Sequence, residues 1–316
     1  MGAMQVGSHA GGRSGRLCVD FGGSVIKASV QRAGRIEPPI FVDVIEGSEL
    51  EVAEDLVWRT LQAYPCNVDS VCVAVPGVVD FNNHAMISAH EKYSSLQGVN
   101  LKNWFAKKWD VPFAVENDAR AALLGEVSSG VAPGFQNAVG IIFGTGIGTA
   151  AIIDGLLLRG HSGHGGILGG HTTVDIHSGD CPCGNRGCAE FLASTWMLSD
   201  SPEFRHSLYA TGGIRALIDG VRGGDAGAIE LLDFFVTVWG STIVGLCHLF
   251  DPEAVIVTGG PMRSADIIYP LLSAYVRDHL WSSLAPPQLL VPEEPDLSVL
   301  RGLAALAVDS LIGVDS

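Results

Sequence analysis

Two segments of this chain share one layout. Leu17–Val30, LCVDFGGSVIKASV, and Asn137–Ile153, NAVGIIFGTGIGTAAII, each read as apolar strand, tight glycine turn, apolar strand. Their recurrence points to two related α/β halves, each opening on a glycine-turn hairpin, although short units of this kind are common and the repeat signal alone is weak. After the first hairpin, Leu50, Ala53, Leu56, Val57 and Leu61 recur at helical spacing and predict a helix over Glu49–Tyr64. Ser70–Val75 is a short buried strand ended by Pro76-Gly77, and Val111–Val115 is another that runs into Glu116-Asn117-Asp118. A helix follows, for which Asn117 or Asp118 is a suitable cap. In the second half, Ile229–Phe250 is a long apolar helix broken by Asp251-Pro252, and Ala254–Thr258 is a strand ending in Gly259-Gly260-Pro261. Helices over Asp266–Leu280 and Leu300–Ile312 close the chain. No low-complexity linker occurs, so any domain boundary is a hinge rather than a tether.

Composition narrows the function classes. The 316 residues suit roughly two domains, and 47% hydrophobic content excludes wholesale disorder. With 34 acidic against 19 basic side chains the net charge is −15, which disfavours nucleic-acid backbone and anionic lipid as partners. Only 17% of residues are charged while 40 are glycine, as in a tightly turned α/β enzyme. The longest uncharged run, Val127–Ile153, is interrupted by Pro133, Asn137 and several glycines and does not make a membrane span. The first 16 residues lack the apolar middle of a secretory signal and read as a flexible extension.

Seven cysteines is an odd number, and Cys181, Cys183 and Cys188 lie within eight residues, which suits a metal site in a reducing cytoplasm better than a disulfide framework. With His171 they supply one imidazole and three thiolates, a closed tetrahedral set for structural zinc. Gly179, Gly184 and Gly187 let the loop fold back on itself. The alternative is unrelated buried cysteines; a nucleic-acid-reading zinc ribbon is disfavoured because Arg186 is the sole Lys or Arg between Gly160 and Phe204. Cys18, Cys66, Cys72 and Cys247 sit in apolar surroundings and read as core. His161, His164 and His177 read as loop or surface residues, and Trp104, Trp109, Trp196 and Trp239 as packing anchors.

The turns DFGGS at 20–24 and GTGIG at 144–148 suit phosphate, since a backbone without Cβ atoms approaches an anion closely. Ser24 and Thr145 add hydroxyls, and Asp20 is placed to hold a hydrated Mg²⁺. Plain hairpin turns are the alternative for each. Neither turn is a P-loop, and a strand follows where a dinucleotide fingerprint needs a helix. Glu116-Asn117-Asp118 offers a carboxylate fixed at a helix start, suited to take a proton from a substrate hydroxyl, or else an ordinary helix cap.

In this order the motifs resemble the ROK family (repressors, open reading frames and sugar kinases) of the actin-like ATPase superfamily. The resemblance runs from about residue 17 to 312 and rests on DFGGS, Pro76-Gly77, ENDARAALLGE at 116–126, FGTGIGTA at 143–150, GGHTTV with CPCGNRGCAE at 169–190, and FDPEAVIVTGG at 250–260. It implies two actin-like (ribonuclease H-like) domains with a sugar and ATP meeting in the cleft between them. The implied domains are residues 17–116 with 299–316, and 117–298 carrying the zinc loop. It further implies Asp118 as the general base and Asn117, His171 and Glu190 as sugar ligands. His171 would also bind Zn²⁺ with Cys181, Cys183 and Cys188. Gly22, Gly23 and Ser24, with Gly144, Thr145, Gly146 and Gly148, would cradle the ATP phosphates, Mg²⁺ would bridge them, and Gly259-Gly260 would lie against the adenosine. A cytoplasmic homodimer is the implied form.

Two segments depart from the family pattern, both on the sugar side. Leu168 stands where many members carry a sugar-binding Glu. The segment SAHEKYSSLQGVNL replaces the usual Ser/Ala-Pro-Asn contact and puts Lys92 where an Asn would meet sugar. The expectation is therefore an ATP-dependent kinase of a hexose or amino-hexose with altered sugar preference. The alternative is a catalytically silent sugar-binding member. A repressor of this family carries an N-terminal DNA-binding module, for which the 16 residues before the first strand leave no room.

Overall fold

The computed structural model describes residues 14–23, 25–88, 93, 95–200, 208–281, 283 and 285–306. By internal contacts the chain separates into two compact units. One comprises the chain up to Gly125 together with the residues from Asp296 onward; the other is Glu126–Pro295.

In the first unit β1 (Ser14–Phe21) and β2 (Val25–Arg32) form the expected hairpin, paired from Arg16↔Gln31 to Phe21↔Ile26. Short strands β3 (Arg35–Ile36) and β4 (Ile40–Asp43) extend it on the far side of β2, and α1 (Glu49–Ala63) follows. Strand β5 (Asn67–Val75) returns parallel to β1. A small hairpin, β6 (Val78–Asp80) and β7 (Ala85–Ser88), and α2 (Leu101–Ala106) lead to β8 (Phe113–Asn117), parallel to β5, and then to α3 (Asp118–Ser129), which crosses into the second unit after Gly125. The strand expected at Val111–Val115 is shifted two residues later. Pro112 has no N–H for the ladder and enters it through its carbonyl alone, which accepts from Val71 N at 2.9 Å.

The second unit repeats the plan. Hairpin strands β9 (Ala138–Phe143) and β10 (Ile147–Ile153) carry the short β11 (Leu156–Leu157) on the outside. Helices α4 (Ala189–Ala193), α5 (Thr195–Asp200), α6 (Leu208–Arg222) and α7 (Ala226–Phe250) precede β12 (Ala254–Gly259), α8 (Ala265–His279) and β13 (Gln288–Leu290). The sheet order β11-β10-β9-β12-β13 matches β3-β2-β1-β5-β8 strand for strand, so the faint sequence echo is a repeat of topology. Helix α7 is capped by Asp225, which accepts from Ala228 N at 2.7 Å, and stops at Asp251 in the left-handed region before Pro252. Among the described residues it is the helix long and apolar enough to cross a membrane. It is also a core element, with Leu232, Phe235 and Trp239 buried. Trp239 stacks on Phe143 at 4.4 Å and donates to Ala193 O, the anchoring role expected of it. Gly213, at φ 56°, breaks α6 into two pieces.

The last helix, α9 (Ser298–Ala305), belongs to the first unit; the rest of the helix expected to Ile312 lies outside the described residues from 307. Residues 1–13 of the expected extension are outside them too, and β1 starts at Ser14. The division at 125/126 and 295/296 differs from 116/117 and 298/299 because α3 packs closely on α9. A Cβ on Gly302 would lie 1.7 Å from Ala121 O, and one on Gly125 would lie 2.0 Å from Ser298 O. Arg16 closes the end of α9, donating to Ala304 O at 2.6 Å and Leu306 O at 2.8 Å.

This crossing yields a contrast between two glycines. Gly302→Ala forces backbone apart and is expected to lower stability by about 1–3 kcal/mol. Gly245→Ala, in α7 with open space around it, is expected to be neutral or stabilising by about 0.4–1 kcal/mol. Thermal unfolding of the two variants measures both.

Candidate active site

Parallel pairing brings three strand ends of the first unit to one edge. In the ladders Asp20 is level with Ala74, Ala74 with Glu116, and Val75 with Asn117. Gly22-Gly23, Pro76-Gly77 and Glu116-Asn117-Asp118 therefore leave the sheet side by side. Carboxyl ends of parallel strands are where open α/β sheets bind ligands.

Asn117 performs the capping expected of it: its Oδ1 accepts from Arg120 N at 3.1 Å. Its Nδ2 donates to Gly77 O at 2.9 Å and to Asp118 Oδ1 at 3.0 Å. Ala119 N also donates to Asp118 Oδ1 at 2.8 Å, so one carboxylate oxygen is fixed while Oδ2 has no hydrogen-bond partner among the described residues. Glu116 points inward, in a fully buried ion pair with Arg120 at 3.5 Å, and holds this corner together.

Asp20 is 2% exposed, its Oδ1 has no partner, and Lys27 Nζ stands 3.8 Å from its Oδ2. Burial pushes its carboxyl up to about 7, against the pull of Lys27 and with the help of the nearby Asp118 charge. Burial likewise raises Asp118 to about 6, against its hydrogen bonds. Two desolvated carboxyls, one with an orphaned oxygen, fit a hard divalent cation such as Mg²⁺. Ser24 and Lys92 lie outside the described residues.

Tyr93 had no signal in the sequence beyond its place in the divergent 88–101 segment. It is buried, takes a left-handed φ of 60°, and rests edge-on against Phe21 at 6.0 Å. Its hydroxyl donates to Gly22 O, tying that segment to the glycine turn. Burial and the charges of Asp20, Glu49 and Asp118 push its phenol well up.

In the second unit the Gly144–Gly148 turn joins β9 to β10, and Gly259-Gly260 ends β12, the parallel neighbour of β9. Gly259 is level with Phe143, so both glycine segments leave the same sheet edge. Gly259 has φ 106°, and a Cβ there would strike Phe143 O at 2.0 Å. Thr145 is exposed at the tip. Glu190, in the first turn of α4, accepts from Ile147 N at 2.7 Å through Oε2, while its Oε1 lies 3.8 Å from His171 Nε2.

His171 closes a short 3₁₀ turn after Leu168. Gly170 packs where a Cβ would lie 2.2 Å from Ile147 O, which presses this turn against β10. His171, Cys181, Cys183 and Cys188 converge with their ligand atoms all within 4.8 Å of one another. Cys183 Sγ and Cys188 Sγ are 3.7 Å apart, and His171 Nδ1 is 3.8 Å from Cys181 Sγ. A tetrahedron with Zn–S legs of about 2.3 Å has edges of about 3.8 Å, so donor type and spacing both fit zinc. The loop glycines behave as expected at two positions. Gly184 and Gly187 take φ of 91° and 64°, and a Cβ on Gly187 would strike Asp175 O at 1.7 Å. His161, His164 and His177 are exposed and outside the cluster. Burial raises the Cys18, Cys66, Cys72 and Cys247 thiols, the latter two to about 11 and about 12, which keeps them protonated and unreactive. Leu168, 45% exposed, presents bare hydrocarbon beside the cluster.

Among the described residues the buried side-chain polar atoms without a partner are Asp20 Oδ1 and Ser194 Oγ. Each adjoins a glycine turn: Asp20 precedes Gly22, and Ser194 precedes Thr195, whose N–H donates to Gly144 O at 3.0 Å. Such atoms cost about 1–3 kcal/mol and are where a bound ion or ligand repays its binding.

Two units with one hairpin-led sheet order and glycine turns at the strand ends define a pair of actin-like domains. The chain belongs to the ROK family, whose sequence profile matches residues 16–310. It is 30% identical over 280 residues to a glucokinase of Thermotoga maritima, covering 84% of this chain and 88% of that one. It is also 26% identical over 296 residues to a xylose repressor of Bacillus spizizenii, covering 94% of this chain and 73% of the repressor. Among solved structures, a ROK hexokinase from Thermus thermophilus superposes with a TM-score of 0.80 at 26% identity, covering 94% of this chain and 99% of that one. The family thus contains both kinases and repressors.

The geometry of the cluster gives a direct expectation. Elemental analysis of the purified chain should find about one zinc per molecule, and Cys188→Ser should lose most of it because three ligands leave the ion open to water.

Proposed function

We propose that this chain is an ATP-dependent sugar kinase, transferring the γ-phosphoryl group to a hydroxyl of a hexose or amino-hexose. The observation that carries this reading is Asp118: a carboxylate at a helix start with one oxygen locked by two donors and the other unbonded. Its carboxyl, raised to about 6, is well matched to accept a hydroxyl proton near neutral pH. In the step, Oδ2 takes the sugar O–H proton, the oxygen forms its bond to the γ-phosphorus, and the bond to the β-phosphate oxygen breaks to release ADP. Asn117, His171 and Glu190 are the sugar ligands in this reading. Gly22-Gly23 and Gly144–Gly148 are the phosphate turns, and Gly259-Gly260 faces the adenosine. Asp20 would hold Mg²⁺, which would supply charge neutralisation at the phosphates, and His171, Cys181, Cys183 and Cys188 would hold a structural zinc. ATP as donor and cysteines without disulfides suit a cytoplasmic location.

Leu168 favours a second reading, a sugar-responsive member without catalysis. A hydroxyl that meets leucine in place of a carboxylate loses its acceptor, which weakens binding of common hexoses by orders of magnitude. The likeness to a xylose repressor supports the same reading. Intact Asp118 and glycine turns support the kinase.

A coupled ADP-release assay with Mg·ATP across hexoses, N-acetylhexosamines and rarer epimers separates the two readings. Asp118→Asn, folded and still sugar-binding, should lose about 10²–10⁴ in kcat; wild-type-like rates in that variant would sink the base assignment. Since the base acts only when ionised, kcat/KM should fall as pH drops through about 6. Leu168→Glu should move preference toward common hexoses, and an unchanged sugar profile would count against the pocket assignment. Silence across the whole panel, with calorimetric sugar binding retained, would favour the non-catalytic reading.

A further inference from the structure

Glu190 touches both chemical halves of the second unit. Through Oε2 it accepts from Ile147 N at 2.7 Å, and through Oε1 it faces His171 Nε2 at 3.8 Å. The other ring nitrogen of that histidine, Nδ1, lies 3.8 Å from Cys181 Sγ in the cluster. In sequence Glu190 follows Cys188, itself a cluster residue, by two positions.

The bond to Ile147 holds a particular peptide. The plane between Gly146 and Ile147 has its N–H taken by Glu190 and its C=O accepting from Gly144 N at 2.9 Å. The same chain segment clasps the turn at two more points: Thr195 N donates to Gly144 O at 3.0 Å and Trp196 N to Thr145 O at 3.4 Å. The carboxylate lies close against the turn: a Cβ on Gly146 would stand 2.4 Å from Glu190 Oε2 and would push that side chain aside. A turn whose amides are to meet phosphate must keep its peptide planes fixed beforehand, because orienting them on binding costs affinity.

We infer that Glu190 is a positioning residue that links the His171–Cys181–Cys183–Cys188 cluster to the Gly144–Gly148 turn, so that nucleotide affinity depends on an intact cluster even without sugar. The inference rests on the kinase reading in taking that turn as the nucleotide side. It adds a coupling to the sugar contact that the resemblance gives Glu190.

The test titrates Mg·ATP into the full chain by calorimetry, with no sugar present. Wild type, Glu190→Ala and Gly146→Ala are compared before and after metal extraction by a chelator, with metal content and circular dichroism recorded for each. Glu190→Ala should weaken Mg·ATP about tenfold, the effect of losing one hydrogen bond to a charged acceptor. Gly146→Ala, which keeps the carboxylate in the protein but pushes it off Ile147 N, should weaken binding in the same direction. Extraction should weaken wild type by a similar factor and change Glu190→Ala by less than about twofold, because coupled sites are not additive. Unchanged or tighter binding by Glu190→Ala overturns the inference, as does equal weakening of both proteins on extraction. A wild type that phosphorylates sugar while Glu190→Ala binds Mg·ATP normally removes the coupling and leaves the kinase standing. A wild type that binds no Mg·ATP removes both.

Discussion

Parallel strand pairing is the constraint on which the chemistry of each unit depends. Because β1, β5 and β8 run in one direction in register, Asp20, Gly77 and Asn117 must emerge together, although nearly a hundred residues separate the first from the last. The same holds for β9 and β12, which place Gly144 beside Gly259. Antiparallel order would send alternate ends to opposite edges and scatter these residues. The hairpins β1–β2 and β9–β10 contribute differently: each makes its glycine turn the direct continuation of a core strand, which leaves little freedom in the turn.

Charge is concentrated where the strand ends meet, and its cost is visible. The Glu116–Arg120 pair is wholly buried, and pairs of this kind often add little net stability over apolar residues of the same size. Its geometry suggests another contribution. Glu116 Oε1 also accepts from Asn117 N at 2.9 Å, so the pair fixes the backbone at the residue before Asp118. Asp20 and Asp118 are both raised by burial, which for an acid means that ionisation opposes folding. Each contributes stability that is present at low pH and lost as pH rises from its ordinary carboxyl range through its raised value, about 7 for Asp20 and about 6 for Asp118. Two buried carboxyls with raised pKa values at one sheet edge form a pattern found where pKa values are tuned for chemistry.

Much of this was legible in the sequence, for physical reasons that differ by element. The hairpins, α1, α7 and α8 were visible because apolar periodicity and Gly or Pro stops mark them, and the metal loop because Cys and His at short spacing have few other uses. The strand start at Phe113 was missed because five apolar residues do not reveal that a proline at the second position cannot join the ladder through nitrogen. Helix α6 was missed because Gly212-Gly213 reads as a loop, and the structure does break there. Tyr93, Lys27 and the inward turn of Glu116 were invisible in sequence, since each depends on a partner brought near only by strand register. That α3 up to Gly125 belongs to the first unit follows from two glycine contacts with α9, more than 170 residues away in sequence.

His171 stands between the cysteine cluster and Glu190. Its backbone is pinned by Gly170 against β10, and its carbonyl accepts from Cys188 Sγ at 3.2 Å and from Asn185 Nδ2 at 3.0 Å. Nδ1 is turned to the sulfurs, so a cation held by the cluster would be ligated through that nitrogen. The other ring nitrogen, Nε2, faces Glu190 Oε1 at 3.8 Å, and a carboxylate is a common outer partner of a ligating histidine. An imidazole and a carboxylate thus stand together beside the cluster, groups able to donate and accept hydrogen bonds. Leu168, three residues before His171, provides neither. In the kinase reading proposed above, His171 and Glu190 would carry polar contacts to the sugar, and the exposed Leu168 side chain would meet an apolar part of it.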